Sequence, residues 1–149
     1  MATTATITIA SDIYSGFGGI SKTMTLTKAG TLNDIEETTG FSRRKFTATD
    51  NKDLIIMADA SLIQETDDSK AAKVYIKNIG DGRGTISKDK FVAVSLGTAG
   101  GTTQQISKLY GGDWMLIPLT TIDTTGDIFV TPETDDAVVL EYVMFYEEA

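Results

Sequence analysis

Apolar and polar residues alternate with a period of two along most of this chain. In 5–9, Ile7 and Ile9 fall on one face; in 23–27, Met24 and Leu26 do. Val74 and Ile76 oppose Lys73, Tyr75 and Lys77, and Val92, Val94 and Leu96 share a face. Such alternation marks half-buried strands, because successive side chains on a strand point to opposite faces. Further strands are predicted over 41–49, 54–57, 104–109, 114–119 and 127–131, with 58–63 continuing or restarting the fourth. The longest is 138–146, where Val138, Leu140, Tyr142 and Met144 face one way and Val139, Val143 and Phe145 the other. A strand apolar on both faces is covered on both.

Glycine-rich segments punctuate the strands: 15–19, 97–101, 110–113, and Gly80-Asp81-Gly82-Arg83-Gly84, which is expected to be a hairpin turn. The stretch 30–39 is polar and fits either a loop or one helical turn. Strands recurring about every ten residues, with almost no helical period, predict an all-β fold. The expected form is a two-sheet β-sandwich of jelly-roll type, with nine or ten strands. No repeat or composition shift divides the chain, so 1–149 is read as one domain, with 1–20 as an N-terminal arm within it.

Composition sharpens this picture. Thr occupies 23 of the 149 positions, and β-branched residues suit a pleated surface and lose side-chain freedom in helices. A chain of this size buries roughly 70% of its unfolded surface. There is no His and no Cys, which removes the commonest general base, the thiolate nucleophile, disulfides and thiolate zinc sites. A net charge of −8 opposes binding to a phosphate backbone. The N-terminus lacks the pattern of a signal peptide, and no apolar run has the length of a membrane span, so neither secretion nor membrane insertion is expected.

Candidate chemistry is sparse. The 80–84 segment has neither a dinucleotide fingerprint nor a phosphate-loop lysine. The acidic groups Asp50 with Asp53, Asp67-Asp68, and Glu133 with Asp135-Asp136 offer oxygen ligands for Ca²⁺, but none has EF-hand spacing, and solvated loop charge is favoured. With 21 acidic residues, a glycosidase-type pair discriminates nothing. Trp114, followed by Met115 and Leu116, is expected in the core rather than on a sugar-stacking platform. No catalytic, metal or cofactor-binding residue is assigned, and no cofactor is expected.

The segments Val74-Tyr75-Ile76-Lys77-Asn78, 91–97, 106–118 with its Gly112-Asp113-Trp114-Met115-Leu116-Ile117-Pro118 step, 127–130 and the terminal Glu141-Tyr142 strand resemble a pattern in small virion structural proteins of tailed bacteriophages, especially phages of marine bacteria and cyanobacteria. The resemblance covers about half the chain and rests on strands and turns. It implies a non-enzymatic decoration or cement protein on the outer capsid surface, made in the host cytoplasm and bridging subunits of the major capsid protein. A homo-oligomer, with a trimer favoured, fits such a role, without direct contact to nucleic acid or membrane.

Candidate contacts are Thr3, Ala5, Ile7 and Ile9, whose segment is suited to strand addition, Phe17 among its glycines, and the basic run Arg43, Arg44 and Lys45. That run also suits a solvated strand edge that discourages pairing. Two alternatives stand beside the capsid role. One is a tail or fibre component, or a carbohydrate-binding host-recognition module using Trp114, Tyr110 or the glycine-rich loops. The other, a hydrolase using paired carboxylates, is the least favoured.

Overall fold

A computed structural model describes residues 3–9, 20–27, 35, 37–47, 52–55, 71–81, 90–97, 102–120, 127–133 and 138–146. Among these the chain is all-β, with no helix and eleven strands: β1 Thr4–Ile9, β2 Ile20–Thr25, β3 Glu37–Thr38, β4 Ser42–Phe46, β5 Lys52–Ile55, β6 Ala71–Asn78, β7 Phe91–Gly97, β8 Thr103–Tyr110, β9 Trp114–Thr120, β10 Asp127–Pro132 and β11 Val138–Tyr146.

The strands form three antiparallel groups. One four-stranded sheet has the order β5-β10-β7-β8, and a five-stranded sheet has β3-β11-β6-β9 with β4 also on β11. The third group is the β1–β2 pair, in register from Thr4 opposite Thr25 to Ile9 opposite Ile20. Within β4–β11 the pairing is nested: β7 with β8, β6 with β9, β5 with β10, β4 with β11.

The core follows from the alternation. Ala72, Val74 and Ile76 of β6 and Leu140 and Met144 of β11 meet Val92 and Val94 of β7, Leu109 of β8, and Ile128 and Val130 of β10 in one buried cluster between the sheets. Each fully buried aliphatic side chain of this kind contributes about 1.5–3 kcal/mol. A second cluster lies on the opposite face of the five-stranded sheet. There Val143 and Phe145 pack with Leu26 and Ile35, flanked by Ala5, Met24, Tyr75 and Leu116. The β1–β2 hairpin therefore forms a third layer over part of that face. This explains why β11 is apolar on both sides.

Two details depart from the sequence pattern. The strands on either side of the 80–84 glycines, β6 and β7, lie in different sheets and do not pair with each other, while Gly82 and Gly84 lie outside the described residues. Gly80, at φ 79°, instead extends the alignment with β11: Ile79 donates to the Val139 carbonyl and Val139 to that of Gly80. Within 30–39, Glu37–Thr38 is a strand against Tyr146 and Phe145. It joins β4 across a kink where Thr39 exchanges bonds with Met144. The Thr39 N–H donates to the Met144 carbonyl at 3.0 Å, and the Met144 N–H donates to Thr39 Oγ1 at 3.0 Å. The threonine hydroxyl thus takes a carbonyl's place while Gly40, at φ 71°, redirects the chain.

Candidate interaction surface

The structure separates the sequence-selected residues. Thr3 is exposed, and its carbonyl accepts from the Leu26 N–H at 2.7 Å. Ala5 is half-buried against the second cluster, and Ile7 is half-buried while Thr4, Thr6 and Thr8 are exposed. Ile9 is placed by its backbone alone, opposite Ile20. Phe17 lies outside the described residues, as do Asp50, Asp67, Asp68, Asp135 and Asp136. Among the described residues, no cluster of three or more acidic side chains has the arrangement of a metal site.

Arg43, Arg44 and Lys45 are all exposed on β4. The pleat divides them: Arg43 and Lys45 stand opposite Glu141 and Val139, on the hairpin side of the sheet, whereas Arg44 stands opposite Leu140. Arg43 pairs with Glu141 at 2.8 Å, and the Arg44 guanidinium lies 5.1 Å from the centre of the Phe46 ring, a cation–π distance. Among the described residues β4 pairs only with β11, so the three cations line a sheet edge.

Trp114 is not in the core. It is 43% exposed, since it begins edge strand β9 on the hairpin-facing side, level with Lys77. Its ring lies 6.1 Å from that of Tyr75, which lies 6.2 Å from Phe41 in an edge-on arrangement. Phe41 is 70% exposed. Three rings from distant parts of the chain thus form a row across the sheet. A charged row adjoins it, in which Arg43, Glu141 and Lys77 are successive cross-strand partners and Lys77 in turn stands opposite Trp114.

This surface is electrostatically ordered. Partial burial, then the Glu141 charge, raise the Tyr75 pKa above the ordinary tyrosine value, because both disfavour a phenolate. Nearer the hairpin, burial lowers the Lys73 pKa, and its ammonium donates to the Thr25 carbonyl. That bond ties the hairpin layer to the sheet.

The side of the sandwich formed by β8 and β9 differs from the β4 edge. β9 contains no charged residue, and β8 only Lys108, whose ammonium lies 4.3 Å from the centre of the Phe91 ring. Ile106 and Tyr110 of β8 are 42% and 41% exposed. The β7–β8 register shifts between Ser107 and Gln105, leaving Ile106 as the extra residue of a bulge.

No protein-family model and no curated protein matches the sequence. A solved chain from Bacillus endospore appendages, described as a novel family of disulfide-linked pili, is similar at 11% identity and a TM-score of 0.46, over 77% of this chain and 92% of that one. This chain has no cysteine with which to form such a link.

Proposed function

We propose that this protein is a non-enzymatic structural component of a tailed-phage virion. In that role it decorates the outer capsid surface and stabilises the head by bridging major capsid subunits, as a homo-oligomer in which a trimer is favoured. The observation carrying the proposal is the contrast between its sheet edges. The β4 edge is lined with Arg43, Arg44 and Lys45, which discourage strand addition. The β8–β9 side is nearly free of charge and exposes Ile106 and Tyr110.

Depletion of charge around exposed apolar and aromatic residues is the composition of an interface core. The Ile106 bulge and Pro118 both interrupt a regular hydrogen-bonding edge, so the contact there is side-chain packing. Strand addition fits β1 instead, which pairs only with β2 among the described residues. The nested pairing of β4–β11 supports a jelly-roll assignment, and the resemblance of the strand motifs to small virion proteins supports the capsid location.

Light scattering after size-exclusion chromatography tests the oligomer. The wild-type chain is expected to elute as a closed oligomer and Ile106→Lys as a folded monomer. A wild-type monomer at every concentration contradicts the proposal.

A further inference from the structure

Beyond any capsid contact, one surface has the chemistry of a small-ligand site. The rings of Phe41, Tyr75 and Trp114 follow one another at 6.2 and 6.1 Å. They run from the β4 edge across β11 and β6 to β9, and these ring separations set the reach between the outer two at no more than about 12 Å. The outer two are accessible, Phe41 at 70% and Trp114 at 43% exposure. In the adjoining row the Arg43–Glu141 pair is closed at 2.8 Å, with side-chain exposures of 70% and 19%. Lys77 is the next partner across the sheet.

We infer that this face of the five-stranded sheet binds a neutral oligosaccharide. A pyranose ring has an apolar C–H face and a rim of hydroxyls, so it requires an aromatic surface bordered by fixed donors and acceptors. Phe41 and Trp114 supply the stacking faces and Tyr75 fills the floor between them. Glu141 accepts from sugar hydroxyls while Arg43 and Lys77 donate to them. The ion pair fixes two of these groups before binding, which lowers the ordering cost.

Other ligand classes fit less well. The core of a protein interface would bury Arg43, Glu141 and Lys77 together, and desolvating charges is expensive. A sugar leaves them partly hydrated. A nucleic acid meets a chain of net charge −8, which opposes association with a polyanion. The span suits several linked sugars rather than one.

Trp114 is the only tryptophan, so its emission reports the site without a label. The full chain is to be screened on an array of neutral hexose oligosaccharides, and the tightest binder titrated against tryptophan fluorescence. Saturable emission change is expected. Phe41→Ala should weaken binding roughly tenfold, the scale of losing one stacking ring. Glu141→Gln should also weaken it, whereas Gln104→Ala, at an exposed position on β8 of the other sheet, should not. Phe41 is too exposed for its removal to threaten the fold, so that variant carries the test if Trp114→Ala unfolds. Absence of array binding, binding without an emission change, or affinity unaltered in Phe41→Ala overturns the inference.

Discussion

The side-chain amide of Asn78, at the end of β6, donates a 2.9 Å hydrogen bond to the backbone carbonyl of Leu109 in β8. The two strands belong to different sheets, so this bond crosses the sandwich. Asn78 is buried, and its Oδ1 accepts from the Gly80 N–H at 2.9 Å. Its backbone is held as well: the Asn78 N–H donates to the Asp113 carbonyl, and the Gly112 N–H donates to the Asn78 carbonyl. The Tyr110–Asp113 turn, where the chain passes from one sheet to the other, is anchored on one residue.

Replacing Asn78 with Ala therefore leaves a buried carbonyl and a buried N–H without their side-chain partner. The expected loss is about 2–4 kcal/mol, from two groups at about 1–3 kcal/mol each with partial relaxation. Urea denaturation measures it. A loss below about 0.5 kcal/mol, the level of an ordinary surface substitution, contradicts the anchoring role.

Gly97 and Gly40 predict opposite mechanisms for the same substitution. A Cβ on Gly97 would lie 2.6 Å from the Thr102 carbonyl oxygen and 2.8 Å from Thr103 Cα, both backbone atoms. Gly97→Ala therefore forces β7 and β8 apart, at a cost of about 1–3 kcal/mol. A Cβ on Gly40 meets nothing within 4 Å, but the residue has φ +71°. Gly40→Ala costs about 1–2 kcal/mol from conformation alone, and Gly40→Asn should cost less because asparagine tolerates that region. Equal losses for Ala and Asn at position 40 would contradict the conformational origin.

Alkaline stability should depend on Tyr75. Its pKa is raised in the folded protein, first by burial and then by Glu141, so the native state holds the phenolic proton more tightly than the unfolded chain does. The resulting stabilisation is complete below the unfolded tyrosine value and is lost as pH rises through the folded one. Stability measured by denaturant should thus fall more steeply in the alkaline range for wild type than for Tyr75→Phe. The lowered pKa of Lys73 acts with the opposite sign but is present in both proteins. Parallel pH profiles would contradict the assignment.

The strands were legible in the sequence because alternation records which side chains turn inward, as β6 shows plainly, and because runs apolar on both faces, such as β10 and β11, mark strands covered on both sides. Partnership was not legible. A period of two fixes faces but not neighbours, so the glycines after Asn78 signalled a change of direction without revealing that β7 lies in the other sheet. Trp114 looked internal because Met115 and Leu116 follow it, yet exposure at that position depends on where the hairpin layer ends. The aromatic row joins residues 41, 75 and 114, and the Arg43–Glu141 pair spans 98 positions. Neither leaves a local signal. The basic run was visible at once; what the pleat adds is that Arg44 points away from its two neighbours.

Heating tailed-phage particles that carry or lack this protein, and following DNA release, tests the proposed role most directly. Particles carrying the wild-type chain should retain DNA to higher temperature than particles without it, and particles supplied with Ile106→Lys should fall between. Equal retention with and without the protein would contradict a cementing function.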